Sequence, residues 1–263
     1  MQRALLAGLF SGGLGGLLGS VAVLRQLSFF SDALGHSALL GISLGLLLGV
    51  EPIAVLIPFA VLFALLVGEL VERSRLPGDA LLNVIYSSSL AIAVVLLRLL
   101  NARAGSLEQL LFGDILGVTW GDVVVQGGLL LAVLAYLLLN RRSQILLSLD
   151  AGLAVSQGVA VAWQRLGFVV VLAVVVALSI KAVGVLLISA FVVIPACTAR
   201  LLARGFGSYM ALASGLGAGC GVLGLVASGL LNLPSGPCVV IIQLLAFLAA
   251  LLVPAARRWA PQG

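Results

Sequence analysis

The sequence predicts an all-α fold, a polytopic bundle of eight or nine helices that span a membrane. Of the 263 residues, 62% are hydrophobic and only 9% are charged, and the mean hydropathy is +1.29. A soluble globular domain carries roughly 25% charged residues, so this chain has too few to cover a surface that faces water. Runs of about 20 apolar residues, the length that crosses a bilayer, recur along the chain. We therefore expect one transmembrane domain over residues 1–263.

Charged and turn residues interrupt the apolar runs and so delimit the spans. The expected spans lie at about 4–24, 33–50, 52–71, 80–100, 120–139, 167–183, 184–200, 208–231 and 237–254. Two of these runs meet near Lys181 and Gly184, where they can also form one span and a re-entrant segment. Hydropathy alone therefore leaves both eight and nine spans open.

The arginines predict the orientation of the helices, because cytoplasmic loops carry an excess of basic residues. With Arg25 inside, a nine-span arrangement also places the other main basic positions inside: 72–75, 141–142, 165, 200–204 and 257–258. This predicts an outside N-terminus and an inside C-terminus, and Arg3 is the residue that fits poorly. The basic residues build no cationic face, so the net charge of +5 indicates contact with membrane lipid and no nucleic-acid partner.

Glycines recur at four-residue spacing within the apolar runs. The series are Gly8, Gly12 and Gly16; Gly41, Gly45 and Gly49; and Gly215 and Gly219. In lipid, small residues let helix backbones approach closely. We expect these glycines to form the seams of a tight helical bundle.

The longest predicted cytoplasmic connection covers residues 140–166. Its centre, from Asp150 to Gln164, predicts a modest helix with Asp150 near its start, where a carboxylate suits the helix dipole. Such a helix is a natural docking surface for a soluble partner. It can also be an amphipathic helix that lies on the lipid.

One ionisable pair stands out in the apolar sequence, in the stretch SDALGHS. It consists of Asp32 and His36, the only histidine of the chain. At this spacing the two side chains share one helix face, and a carboxylate with an imidazole is a normal ligand set for Zn²⁺, Mn²⁺ or Fe²⁺. Ser28, Ser31 and Ser37 could orient the pair or hold waters. An Asp–His hydrogen bond that pins two helices together is the alternative.

Other chemistries find little support. The motifs HExxH, CxxC and GxxxxGK[ST] are absent, so no zincin, redox or nucleotide site is expected, and an ATP-driven activity would need a separate subunit. We interpret Lys181 first as a structural counter-charge to Asp114 or Asp32. A place on a transport path is the second interpretation. We expect no enzyme and no permanently bound cofactor.

Four stretches of the chain carry a resemblance to a known family. They are RQLSFFSDALGHSALLGISLG at 25–45, LFGDILGV at 111–118, KAVGVLLISAFVVIPACTA at 181–199 and PSGPCV at 234–239. In order and spacing they resemble the membrane permease subunit of the bacterial ABC-type zinc/manganese/iron uptake family (ABC-3), over essentially the whole chain.

The resemblance implies the permease of an importer in the bacterial inner membrane. Two permease copies would form the path, two cytoplasmic ABC ATPase subunits would bind ATP and drive alternating access, and an extracytoplasmic binding protein would deliver the divalent metal. A permease for a metal chelate, such as a siderophore or cobalamin, is the alternative.

The resemblance also implies roles for residues. Asp32 and His36 match the family motif S-D-x-L-x-H-S, which is associated with the metal path. The family's ATPase-coupling segment maps onto Asp150, Ala151, Gly152, Ala154, Gly158 and Val159, where Asp-Ala-Gly replaces the usual Asp-Pro-Glu. Ser87 stands where some zinc-type relatives carry a histidine, which favours manganese or iron slightly without excluding zinc.

Overall fold

The structure, a computed structural model, describes residues 1–74, 76–99, 115 and 117–259. In these residues the regular secondary structure is helical. The helices are α1 Gln2–Leu24, α2 Ser28–Leu48, α3 Pro52–Ser74, α4 Gly78–Leu99, α5 Trp120–Leu139, α6 Arg141–Leu149, α7 Ala151–Ser156, α8 Val161–Val183, α9 Val185–Leu202, α10 Phe206–Leu231 and α11 Ser235–Trp259.

Nine of the described helices are long and apolar enough to cross a membrane, which confirms the predicted all-α polytopic fold. The two runs near Lys181 form separate helices of 23 and 18 residues, α8 and α9. They are divided at Gly184, whose φ of 83° lies in the region that favours glycine. The structure therefore favours nine spans over eight.

The helices form two compact units. The first comprises Met1–Arg25, Ile115–Leu139 and Ser189–Gly263, and the second comprises Gln26–Asp114 and Asn140–Ile188. The single domain over residues 1–263 stays a prediction.

In the first unit, α1 packs closely against α10 along the predicted glycine series of α1. A Cβ at Gly12 would overlap the backbone of Gly217, and a Cβ at Gly16 would overlap the carbonyl of Ala213. One turn further along, α1 meets α9, where a Cβ at Gly19 would overlap the carbonyl of Val192. Small residues therefore place α1 in backbone contact with two neighbours, as expected for helices in lipid.

The prediction that Gly215 and Gly219 form a packing seam on α10 is wrong. A Cβ at Gly215 or Gly219 would meet nothing within 4 Å, whereas Gly217 and Gly221 lie against the backbone of α1. Two series with the same four-residue spacing run along this helix on different faces. Sequence spacing cannot decide which of them meets the neighbouring helix.

In the second unit, α2 packs against α3, α4 and α8. Gly41 lies against the ring of Phe59 and Gly45 against Pro52, so these two glycines do form a seam. Gly49 does not, because it closes α2 in the left-handed conformation with φ 65°. Near the start of α2, a Cβ at Gly35 would meet the side chain of Val185 at 2.8 Å.

The connection between α5 and α8 differs from its prediction. The helix expected from Asp150 to Gln164 covers only Ala151–Ser156, and Gln164 already belongs to α8. The chain turns between the two helices at Gly158, whose φ is 76°. A glycine at such a position ends a helix readily, so α7 is a single short turn-like helix of six residues.

Candidate metal centre

The predicted pair lies in the second and third turns of α2. Asp32 and His36 project from one face of this helix, with 3.6 Å between Asp32 Oδ1 and His36 Nδ1. The side chain of Asp32 is 34% exposed and that of His36 is 16% exposed. The helical spacing thus brings a carboxylate and an imidazole together at a partly open position.

The imidazole is oriented by its own helix. His36 Nδ1 lies 3.0 Å from the backbone carbonyl oxygen of Asp32, and a carbonyl only accepts, so we assign the ring hydrogen to Nδ1. This leaves the lone pair of Nε2 for a ligand. Metal-binding histidines commonly donate their other N–H to a carbonyl in this manner, which fixes the tautomer and the ring.

The hydrogen bond of the alternative interpretation is not formed. The separation of 3.6 Å between the two side chains is too long for a hydrogen bond. Both residues also belong to α2, so their interaction pins no second helix.

A residue that the sequence analysis missed, Tyr86 of α4, packs on the histidine. Its ring meets that of His36 edge-on, with 5.0 Å between the centroids and 72° between the planes. The ring of Phe29 meets Tyr86 in the same way at 6.4 Å. These aromatic rings give one side of the pair an apolar wall, which restricts rotation of the imidazole.

The residue singled out in this part of α4, Ser87, is exposed and donates to Asn83 Oδ1 at 3.4 Å. Adjacent residues of a helix point about 100° apart, so Tyr86 faces His36 and Ser87 does not share that direction. The sequence singled out Ser87 in this part of α4, but in the packing its neighbour Tyr86 makes the contact with His36.

Two of the three serines near the pair, Ser31 and Ser37, are buried. Ser31 is fully buried and donates to the carbonyl of Ser28 at 3.2 Å. Ser37 is also fully buried, and its hydroxyl has no hydrogen-bond partner among the described residues. In the described part of the chain, the structure joins none of these serines to Asp32 or His36 by a hydrogen bond.

Further ligands for an ion are not supplied by nearby acidic, histidine or cysteine residues. Among the described residues, no group of three or more such side chains could hold a metal. Lys181 is exposed in the last turn of α8, and Asp114 lies outside the described residues. The pair is therefore a two-ligand site within the described parts of one chain.

The predicted coupling residues build one compact turn. Asp150 caps α7, since its Oδ1 accepts from the Leu153 N–H at 2.8 Å. A Cβ at Gly152 would approach that carboxylate oxygen to 3.0 Å. At the other end, the Val159 N–H donates to the carbonyl of Ala154 at 3.0 Å, and Ala154 is fully buried. Small residues at these positions fit the tight geometry, with Ala151 as the first helical residue.

Amide side chains connect the coupling turn to α8. Gln164 of α8 donates to Asn140 Oδ1 at 3.0 Å and accepts from the buried Gln144 of α6 at 3.4 Å. Arg142 of α6 donates to Gln157 Oε1, just after α7, at 3.1 Å. Gln164 thus links α8 to α6 and the residue before it, and Arg142 links α6 to the end of α7. We call these five residues the amide network (Asn140, Arg142, Gln144, Gln157 and Gln164).

The nine apolar helices found among the described residues define a polytopic membrane protein. The family model of the ABC 3 transport family matches residues 1–254. The chain therefore belongs to the ABC 3 transport family, which confirms the resemblance seen in its four motif stretches.

Individual relatives agree with this assignment. The manganese import system permease protein ScaB of Streptococcus parasanguinis is 32% identical over 258 residues, which cover 98% of this chain and 92% of that protein. The high-affinity zinc uptake system membrane protein ZnuB of Haemophilus influenzae is 32% identical, covering 94% of this chain and 95% of its own length. The solved structure of PsaBC from Streptococcus pneumoniae in complex with Fab superposes with a TM-score of 0.83 at 30% identity, covering 95% of this chain and 90% of that chain.

Proposed function

We propose that this chain is the permease subunit of an ATP-driven importer for a divalent metal ion, manganese, zinc or iron. Asp32 and His36 bind the ion transiently on its path, and the subunit acts by alternating access in a homodimer. The observation that carries this proposal is the pair itself, two partly exposed side chains on one helix face whose carboxylate lies 3.6 Å from imidazole Nδ1 while Nε2 keeps its lone pair.

The ligand chemistry of the pair suits a transient binding site on a transport path. An aspartate oxygen and a neutral imidazole nitrogen are ligands that first-row divalent ions accept. The backbone carbonyl holds His36 Nδ1, so Nε2 is ready without a change of tautomer. Two protein ligands leave the other coordination positions to water or to a second copy of the chain, and so the ion can be released.

ATP hydrolysis belongs to a separate partner in this proposal, with two ATPase subunits below two permease copies in the bacterial inner membrane. The surface of the coupling turn supports such a docking function, because Leu153 and Val155 are 44% and 62% exposed although both are apolar. Trp163, at the start of α8, is 76% exposed. An extracytoplasmic binding protein would deliver the ion from the other side.

The pair and the relatives indicate a class of ions, first-row divalent metals, and not one metal. Manganese-import and zinc-uptake permeases are both about equally similar to this chain. A pair of one oxygen and one nitrogen ligand accommodates Mn²⁺, Fe²⁺ and Zn²⁺. Transport of a bulky chelate would not require the bare pair.

Metal uptake tests the proposal. In a strain that lacks its own permease, Asp32→Ala and His36→Ala should each lower uptake of ⁵⁴Mn or ⁶⁵Zn by about tenfold or more, since a lost ligand weakens a metal site strongly. Glu69→Gln removes an exposed carboxylate that pairs with Arg73 on α3, and this matched control should transport normally.

Membrane levels of each variant, measured by immunoblot, exclude a loss of protein. Normal uptake by both pair variants would overturn the metal path. Competition separates the alternative substrate: free Mn²⁺ or Zn²⁺ should inhibit uptake, and inhibition by a metal chelate alone would favour the chelate permease.

A further inference from the structure

A cavity of about 230 Å³ lies in the first unit, where α1 and α9 end and α10 begins. Its lining residues are Leu24, Arg200, Ala203, Gly205, Phe206 and Tyr209. The wall is mostly apolar, and no carboxylate belongs to it. This end of the helices carries basic residues that the positive-inside rule assigns to the cytoplasm.

Tyr209 gives the cavity an unsatisfied polar group. The residue is only 4% exposed, and its hydroxyl has no hydrogen-bond partner among the described residues. A buried hydroxyl without a partner is unfavourable, so such a group usually hydrogen-bonds to a ligand or a water. Tyr209 lines the cavity together with the exposed Arg200.

The start of α10 adds backbone donors. The N-cap of this 26-residue helix is Gly205, which has no side chain to accept from the first-turn amides. The nearby Ser208 hydroxyl bonds instead to the N–H and the carbonyl of Gly205 itself, at 3.2 and 2.8 Å. The first-turn N–H groups and the helix dipole therefore favour an anion at this end.

We propose that this cavity binds the phosphate of an anionic phospholipid from the cytoplasmic leaflet. Arg200, the Tyr209 hydroxyl and the first-turn amides of α10 supply donors for the phosphate. Leu24, Ala203 and Phe206 offer an apolar wall for the acyl chain next to the phosphate. A cationic group beside apolar helix ends at the cytoplasmic surface is the arrangement that anionic headgroups occupy. The apolar wall favours a lipid over a free phosphate ion.

Native mass spectrometry of the purified, delipidated permease complex tests this site. Phosphatidylglycerol should bind more tightly than phosphatidylcholine of the same acyl chains. Arg200→Gln should weaken phosphatidylglycerol binding by about tenfold, and Tyr209→Phe by about threefold, because the first removes a cationic donor and the second an uncharged donor to the phosphate. Tyr209→Phe removes only an unpartnered oxygen, so its fold is retained.

Arg204→Gln is the matched control, because Arg204 is exposed nearby but does not line the cavity. It should bind phosphatidylglycerol like the unmodified protein. Equal binding of the two lipids, or unchanged binding by both cavity variants, overturns the proposal. Displacement of phosphatidylglycerol by millimolar inorganic phosphate, with the same dependence on Arg200, would show a soluble phosphate site and overturn the lipid. None of these readouts depends on metal transport.

Discussion

The orientation of a single imidazole decides what the metal pair can do. The sequence spacing correctly places Asp32 and His36 on one helix face. It does not reveal that His36 Nδ1 is held by the carbonyl of Asp32, because that contact depends on the side-chain rotamer. The spacing therefore predicts two candidate ligands, and the structure adds which nitrogen is available.

Tyr86 should support the metal site without binding the ion. Tyr86→Phe keeps the ring that packs on His36 and should retain uptake. Tyr86→Ala removes that wall and frees the imidazole to rotate, so we expect uptake to fall about threefold to tenfold, mainly through a weaker apparent affinity. Transport rates over a range of Mn²⁺ concentrations measure this difference.

The matched control for Tyr86 is Ser87→Ala, one residue along the same helix but exposed. If Ser87→Ala lowered uptake and Tyr86→Ala did not, the serine position would be the one that matters for the path.

Among the elements, the sequence specified the long apolar helices better than their ends and their contacts. The run expected to begin at residue 167 begins at Val161, because Gln164 finds partners in Asn140 and Gln144 that satisfy a polar turn of helix. Likewise, four-residue glycine spacing identified the contact face of α1 but not that of α10. Hydropathy shows which residues lie in lipid. The start of α8 and the contact face of α10 depend instead on which helices pack beside them.

The contact of α1 with α10 should be sensitive to one added side chain. Gly12→Val would place a Cβ into the backbone of Gly217, and overpacking of this kind is unfavourable by about 1–3 kcal/mol. We expect a lower melting temperature of the protein in detergent, measured by intrinsic fluorescence.

Gly219→Val is the control for this seam. It introduces the same residue into a helix at a position where the Cβ meets nothing within 4 Å, so its melting temperature should stay near that of the unmodified protein. Equal destabilisation by the two variants would mean that helix propensity, and not the seam, sets the effect.

For the whole molecule, the nine candidate spans of the described residues predict that the two termini lie on opposite sides of the membrane. Arg3 was the residue that fitted this orientation poorly. Its guanidinium lies 6.0 Å from the centroid of the Trp120 ring, so a cation–π contact compensates for its charge at the predicted outer surface. An isolated arginine at that end is thus compatible with the nine-span orientation.

Crosslinking should distinguish a coupling surface from a lipid-facing helix. In a background without Cys197, Cys220 and Cys238, a cysteine introduced by Val155→Cys should crosslink to the ATPase subunit of the assembled complex. Val155 is 62% exposed on α7, and Val124, which is 71% exposed on α5, supplies the control Val124→Cys. Crosslinks of both to lipid probes alone, seen on denaturing gels, would support the amphipathic-helix alternative.

The amide network has a mechanical consequence for the second unit. Its bonds tie the end of α7 to α6 and α6 to the start of α8. Through α6, a displacement of the coupling turn would therefore reach α8, a helix of 23 residues, which is about 35 Å long at the helical rise. Just beyond its far end, Val185 touches Gly35 with no room for a methyl group, and Gly35 is the neighbour of His36. In the proposed transporter, a displacement on the side of the ATPase would arrive along this helix beside the imidazole proposed to bind the ion.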